Sequence, residues 1–304
     1  MSGKHKFSDA PFFLRLCVSA LCIVFLFSQS CATGSGTDPA AGTNPAVGRS
    51  VAEKTETKEL LFSAPSSSEW QNLIPPVSYC RRENKKEKLR YTIVRINLAD
   101  PAVEADGIPQ GGAEGGITDA SFLSRAAARN GFFAAVNATP FDYIPFRPGK
   151  LKLCGLYMRN GKELSAARSE YAALCFDRTK RAYIANSQTD PSVKQADLAF
   201  GGFWTILENG NILPFKNIRS ARTAVGIGED GYTLYLLTVE KNLFSHGLSF
   251  EDCALILKNA GARNAVQLDG GRSAALIFPD FPAYSVRAKR KTANALGIRY
   301  VKSD

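Results

Sequence analysis

The stretch VQLDGGRSAALIF, residues 266–278, places a polar group between two apolar segments, where it could do chemistry. Asp269 follows a predicted strand, and a carboxylate at a strand end is well placed to act on a bound molecule. The two glycines after it let the backbone approach a ligand closely. A hairpin turn explains the glycines equally well. Arg272 and Ser273, however, extend the polar group beyond what a two-residue turn needs.

Other polar residues also stand at strand ends. Arg222 and Thr223 precede an apolar strand, and the planar guanidinium of an arginine can donate two parallel hydrogen bonds to phosphate. Glu240 ends the second arm of the same predicted hairpin, and Asn137 follows the apolar segment 132–136. Each has a simpler interpretation, since Asn caps turns and charged residues at strand ends often face solvent.

The first thirty residues have the layout of a secretory signal. Basic residues precede an apolar run, 16–27, that is too short to cross a bilayer comfortably. Small residues before Cys31 are typical of a bacterial lipoprotein signal, although Ser28 stands where leucine is usual. We therefore predict an exported lipoprotein of a bacterial cell envelope, held to the membrane by a lipid on Cys31. Plain secretion and an uncleaved anchor helix stay open.

The rest of the chain divides by composition. Residues 31–59 are rich in Ala, Gly, Thr and Pro and predict a flexible tether, whereas 60–304 predict one domain. The formal net charge of +10 suggests an anionic partner, such as a phosphate-bearing polymer or membrane headgroups. Solvated loops explain the basic cluster at 81–90 equally well. Nucleic acid is not expected, since no binding motif accompanies the charge.

Many segments predict strands and only two predict helices. An alanine-rich segment opening at Thr118 and Asp119 and ending at Gly131 predicts one helix, and a capping-type start at Ser249 predicts another that ends at Gly261. The predicted strands and hairpins are 91–98, 132–136, 155–159, 173–176, 181–185, 205–214, 224–239, 265–268 and 295–301. We expect an α+β fold, a single domain with a mixed, mostly antiparallel sheet and a few helices.

Six motifs occur in a fixed order along the chain. They are Val136-Asn137 with Phe141-Asp142, ARTAVG at 221–226, LTVE at 237–240, GLS at 247–249, QLDGGRS at 267–273 and TANAL at 292–296. Together they resemble the phosphodiester glycosidase family over roughly residues 91–301. The resemblance implies a hydrolase whose substrate is a phosphate-bearing carbohydrate, cleaved at a sugar-1-phosphodiester linkage.

The resemblance also assigns roles. Asp269 and Glu240 are the candidate catalytic carboxylates, which would activate water or attack the sugar. The candidate residues for binding substrate and phosphate are Arg222, Asn137, Thr223, Gly270, Gly271, Arg272 and Ser273. Bond cleavage at the sugar expels a phosphate monoester, already a stable anion, so a strong general acid is less necessary.

Three positions depart from the family pattern. Ala138 and Thr139 replace the two glycines of N-G-G-x-F, and Arg272 replaces the third glycine of D-G-G-G-S. The added bulk predicts a narrower pocket or a different anion. It also motivates the alternative of a non-catalytic surface lipoprotein that binds glycans or anions.

Cleavage at phosphorus normally requires metal ions. Metal sites for that chemistry usually gather several histidines, and His246 is the only histidine after residue 30. No cofactor is therefore expected, although a Mg²⁺ or Ca²⁺ bound only by carboxylates stays open.

Overall fold

The computed structural model describes residues 61–301. The predicted signal peptide, the tether and the lipidation site at Cys31 lie outside these residues, so they stay predictions. Within the described part, no helix has both the length and the apolar character needed to span a membrane.

Strands dominate the structure. In chain order they are β1 (Gln71–Ile74), β2 (Val77–Asn84), β3 (Leu89–Asn97), β4 (Val103–Ile108), β5 (Ile117–Asp119), β6 (Ala134–Asn137), β7 (Phe141–Tyr143), β8 (Lys150–Leu153), β9 (Tyr157–Arg159), β10 (Lys162–Ser165), β11 (Ala173–Phe176), β12 (Ala182–Ala185), β13 (Leu198–Gly201), β14 (Thr205–Glu208), β15 (Asn211–Ile212), β16 (Arg222–Ile227), β17 (Thr233–Val239), β18 (Lys241–Asn242), β19 (Ser245–His246), β20 (Asn264–Gln267), β21 (Leu276–Ile277) and β22 (Ala295–Tyr300). Two α-helices lie wholly within residues 61–301, α1 (Leu123–Arg129) and α2 (Phe250–Ala260).

The strands form several sheets rather than one. The largest has eight strands in the order β1-β2-β3-β17-β16-β20-β14-β15, and a four-stranded sheet has the order β21-β6-β22-β4. The others are β10-β9-β13-β11-β12, β5-β8-β7 and β18-β19. Every strand pairing within residues 61–301 is antiparallel. The predicted antiparallel character with few helices is therefore confirmed, but the single mixed sheet is replaced by separate antiparallel sheets.

The eight-stranded sheet is buried on both faces. On one face Val94 and Ile96 of β3 join a core cluster that includes Leu296 of the four-stranded sheet. On the other face Ile93 shares a cluster with Leu257 of α2. Because side chains alternate between the faces of a strand, a sheet covered on both sides needs apolar residues at successive positions. This explains the nearly continuous apolar character of its central strands.

The two helices begin differently from one another. Helix α2 has the predicted capping box, in which Ser249 Oγ accepts from the amide of Asp252 at 3.1 Å and the Asp252 carboxylate accepts from the amide of Ser249 at 3.2 Å. The prediction that α1 opens at Thr118 was wrong. Thr118 belongs to β5 and pairs with β8, because its β-branched side chain is buried there and its backbone joins the ladder. The helix begins at Leu123.

We expect the Ser249→Ala substitution to lower the free energy of unfolding by about 1 kcal/mol, since it leaves the Asp252 amide without its capping acceptor. Urea unfolding followed by circular dichroism measures the change. Ser124→Ala is the matched control, because Ser124 is an exposed residue of α1. An equal loss of stability in both variants would contradict the capping role of Ser249.

Candidate active site

The segment Asp269–Ser273 connects two sheets and is not a hairpin turn. The strand before it, β20, belongs to the eight-stranded sheet, and the strand after it, β21, belongs to the four-stranded sheet. A Cβ atom on Gly270 would lie 2.9 Å from the carbonyl oxygen of Ala221, and Gly271 has φ +57°. Close approach to β16 thus requires the first glycine, and the left-handed backbone favours the second.

A buried asparagine ties this connection to both sheets. The Asn137 amide nitrogen donates to the carbonyl oxygen of Asp269 at 2.6 Å. Its Oδ1 accepts from Thr223 Oγ1 at 2.7 Å and from the amide of Ala275 at 2.9 Å. The segments around residues 137, 223 and 269 therefore meet at one place.

Asp269 is the acid at this meeting point. Its side chain is 11% exposed. Oδ1 accepts from the amide of Gly270 at 2.9 Å, and Oδ2 lies 3.2 Å from Nη2 of Arg290. Burial raises the pKa of Asp269 above its ordinary value, and hydrogen bonds and charge from Ser273, Arg290 and Gly270 oppose that rise without reversing it.

Arg290 is a site residue that the sequence analysis missed. Its Nε donates to Ser273 Oγ at 2.6 Å, and its guanidinium lies 4.4 Å from the centre of the Phe141 ring. These two contacts hold the cation beside the Asp269 carboxylate. In the sequence Arg290 is only one member of a basic run near the end of the chain, and no local pattern distinguishes it from its neighbours.

Arg222 does not lie beside Asp269. Because neighbouring side chains of a strand point to opposite faces, Thr223 faces Asn137 while Arg222 faces α2. There its Nε donates to the carbonyl oxygen of Leu248 at 3.1 Å and its Nη2 donates to that of Ile218 at 2.6 Å. The guanidinium also lies 4.1 Å from the centre of the Phe250 ring. Burial lowers the pKa of Arg222.

The amides of the two glycines are also engaged within the protein. The amide of Gly270 donates to the Asp269 carboxylate at 2.9 Å, and that of Gly271 donates to the carbonyl oxygen of Ala221 at 2.8 Å. As the loop stands, these groups orient the carboxylate and fix the backbone, and they are not open donors for phosphate.

Glu240 occupies a different position from Asp269. Its carboxylate oxygens lie 2.9 Å from Arg81 Nη2 and 3.7 Å from Arg90 Nη1, and Asn242 donates to it at 2.8 Å. Glu240 lines a cavity of about 580 Å³, to which Gly271, Arg272 and Ala274 also contribute. Glu240 and Arg272 therefore line the same cavity. Asp269 does not line it.

Two of the three departures from the glycine pattern are accommodated inside the protein. Ala138 and Thr139 are 1% and 2% exposed. Thr139 Oγ1 donates to the carbonyl oxygen of Leu156 at 3.2 Å and accepts from the Asn294 side chain at 3.0 Å. The bulk at these two positions is therefore packed in the core, and only the Arg272 side chain is exposed.

Within residues 61–301, no three His, Cys, Asp or Glu side chains are grouped so that they could hold a metal ion. The four cysteines of this part are free thiols. Cys80, Cys175 and Cys253 are buried, and Cys154 is partly exposed.

A comparison with family models shows the class to which this chain belongs, and that class supports a glycosidase-type function. A model of the phosphodiester glycosidase family matches residues 124–299, which is more than half of the chain. The protein belongs to the phosphodiester glycosidase family.

Solved structures share the fold. The catalytic domain of zebrafish N-acetylglucosamine-1-phosphodiester alpha-N-acetylglucosaminidase, auto-inhibited by its pro-peptide, is 18% identical with a TM-score of 0.57, over 77% of this chain and 86% of that one. A hypothetical protein from Synechocystis is 14% identical with a TM-score of 0.62, over 76% of this chain and 63% of that one. A putative exported protein from Burkholderia pseudomallei is 14% identical with a TM-score of 0.51, over 69% and 74%. No curated protein matches the chain.

We expect Asn137→Ala to lower the free energy of unfolding by about 3 kcal/mol, since it leaves buried polar partners unpaired. Thr223→Val should lower the free energy of unfolding by about 1 kcal/mol. Its effect should not add to that of Asn137→Ala, and a double-mutant cycle should give a coupling energy of about 1 kcal/mol. Denaturant unfolding of the four proteins measures both values.

Thr238→Val is the matched control for this cycle. Thr238 pairs with Thr223 across β16 and β17 and is equally buried, but its hydroxyl has no hydrogen-bond partner in residues 61–301. Its removal should not destabilise the protein. Additive effects of Asn137→Ala and Thr223→Val would show that the amide does not join the two segments energetically.

Proposed function

We propose that the protein is an exported glycosidase that hydrolyses sugar-1-phosphodiester linkages in envelope or exopolysaccharide material, with cleavage of the bond between the anomeric carbon and oxygen. The observation that carries the proposal is the ion pair between the buried Asp269 and the partly exposed Arg290, held where three segments of the chain meet. Family membership supports a glycosidase, and the name of the zebrafish relative supports a sugar phosphodiester as substrate class.

Asp269 is the group proposed to react at the sugar. In its ionised form it activates water or attacks the anomeric carbon as positive charge develops there. The amide of Gly270 and the guanidinium of Arg290 each bind one carboxylate oxygen, so the side chain is oriented before substrate arrives. Orientation of this kind removes part of the entropic cost of reaching the transition state.

Arg290 is proposed to take the phosphate-binding role that the sequence assigned to Arg222. One of its nitrogens donates to Ser273 and another to Asp269, while Nη1 has no acceptor among residues 61–301. A phosphate that departs beside Asp269 can accept from this remaining edge of the guanidinium. The charge-assisted hydrogen bond strengthens as negative charge develops on the leaving oxygen.

Export and membrane attachment rest on residues 1–31 alone. A lipid at Cys31 and the tether that follows would hold the domain within reach of envelope polymers. Labelling of the lipoprotein with a fatty-acid analogue, compared between the wild type and Cys31→Ala, tests this part separately from the chemistry.

Asp269→Asn should reduce the release of free sugar from a sugar-1-phosphodiester on the order of a thousandfold, because the amide can neither activate water nor attack. The assay is quantification of free sugar by chromatography. Retained full turnover in a folded Asp269→Asn protein would refute the assignment.

The stability of the same variant provides the folding control. Below about pH 4 the carboxyl of Asp269 is protonated in both the folded and the unfolded chain. As the pH rises above that value, the unfolded chain ionises first, because burial raises the pKa of Asp269 in the folded protein. The contribution of Asp269 to the free energy of unfolding therefore falls as the pH rises from the unfolded pKa to the folded pKa. The stability of Asp269→Asn relative to wild type should therefore increase from pH 4 to pH 8. A relative decrease would contradict the inferred burial of the charge.

Arg290→Gln should move the acidic limb of the pH profile of kcat/KM to higher pH, since loss of the neighbouring cation raises the pKa of Asp269 further. Arg222→Gln should leave the position of that limb unchanged, because its guanidinium lies on the opposite face of the sheet. A shift with Arg222→Gln but not with Arg290→Gln would instead favour the sequence-based assignment.

A second candidate function is glycan or anion binding without catalysis. The observation that favours it is the separation of the two acids, since glycosidases generally use a pair of carboxylates and Glu240 is paired with arginines at the neighbouring cavity. Calorimetry with a phosphodiester-linked glycan distinguishes the two functions. Binding without product after long incubation would favour this candidate.

A further inference from the structure

The cavity beside the active-site loop is strongly basic. Its volume is about 580 Å³, within the range of small-molecule binding pockets. Among the described residues that line it, the charged side chains are Arg81, Lys241, Arg272, Arg287, Lys289 and Glu240. Five of them are basic and one is acidic, so the lining attracts anions.

The single acid does not neutralise the rest of the lining. Glu240 forms its ion pairs with Arg81 and with Arg90, which is not part of the lining. Arg272, Arg287 and Lys289 are exposed and form no ion pair within residues 61–301. Lys289 Nζ donates to the carbonyl oxygen of Lys241 at 3.0 Å and keeps its charge and further donors. Three cations of the lining are therefore not neutralised by an acid of the described residues.

The cavity and the Asp269 site share one wall. Gly271, Arg272 and Ala274 line the cavity, and they directly follow Asp269 in the connecting loop. The amide of Lys289 donates to the carbonyl oxygen of Arg272 at 2.9 Å, which fixes the segment carrying Lys289 to that loop. The next residue, Arg290, binds Asp269. Two consecutive residues thus supply one cation to the cavity, Lys289, and one to the Asp269 site, Arg290.

We propose that this cavity is a subsite for a neighbouring phosphodiester of a polymeric substrate, which rests on the proposed function of the Asp269 site. A chain of glycosyl phosphates carries one negative charge per repeat, so a unit at Asp269 places further charges nearby. The three exposed cations bind one of them. The protein thereby prefers polymers with repeated phosphodiesters to a single sugar phosphodiester.

The shape of the surface favours a polymer over a membrane. The basic residues converge on a concavity, whereas a bilayer surface requires cations that project outward over a flat or convex area. Exposed Leu243 and Phe244 lie next to the cavity lining in the β18–β19 hairpin, and they make an anionic bilayer the competing occupant that the test must separate.

The test compares two double variants of the whole folded chain that remove the same charge. Arg287→Gln with Lys289→Gln alters the cavity, and Lys85→Gln with Lys86→Gln alters an exposed turn outside it. The probes are a defined oligomer of four glycosyl-1-phosphate units and the matching single-unit phosphodiester. Affinity is measured by fluorescence polarisation in the Asp269→Asn background, so no turnover is needed. Hydrolysis is measured separately with the same double variants that keep Asp269.

We expect the cavity variant to bind the oligomer about tenfold more weakly, with a shallower salt dependence, and to bind the single unit as before. The control variant should bind both probes like the parent protein. Equal weakening in both double variants, or no preference for the oligomer in the parent, would overturn the subsite. Normal binding of the oligomer by the cavity variant would also overturn it. If the same variant no longer sediments with phosphatidylglycerol vesicles, the cations serve a membrane instead.

The same measurements distinguish a failure of the subsite from a failure of the proposed glycosidase function. Hydrolysis of the single unit without any gain for the oligomer removes the subsite and keeps the glycosidase. Cavity-dependent binding of the oligomer without hydrolysis keeps the subsite and removes the glycosidase.

Discussion

The site depends on the side-chain amide of Asn137. A buried amide must satisfy its hydrogen bonds within the protein, and here the partners come from β16, from Asp269 and from the residue before β21. Because β20 and β21 belong to different sheets, no hairpin pairing fixes the loop between them. The amide supplies that constraint together with two backbone hydrogen bonds, from Asp269 to Ala138 and from Gly271 to Ala221. Asp269 therefore has a defined position relative to both sheets before any substrate is bound.

Because its position is fixed, the ionisation of Asp269 depends on the groups around it. Burial disfavours the ionised carboxylate, and Arg290 together with the Gly270 amide favours it. Arg290 is in turn held by Ser273 and by the Phe141 ring. The carboxylate and the cation are thus parts of one arrangement, and loss of the cation would raise the pKa of the carboxyl further.

Local patterns predicted a large part of this structure. The capping box of α2 and the strand at 173–176 follow from residue types. Local patterns do not show that Arg290, and not Arg222, lies beside Asp269. That depends on which face of the sheet a strand residue occupies, and register is set by pairings between distant parts of the chain. The division into several sheets is non-local for the same reason.

The replacement at Arg272 follows from the backbone of the loop. Gly270 and Gly271 cannot easily change, since one lies against Ala221 and the other has φ +57°. Arg272 lies inside the short 3₁₀ turn at Gly271–Ser273 and is not among the residues of positive φ, so a side chain there causes no backbone strain. The loop can therefore exchange this glycine for a cation while keeping the geometry of Asp269. Variation at this one position changes the charge of the cavity without disturbing the carboxylate on its other side.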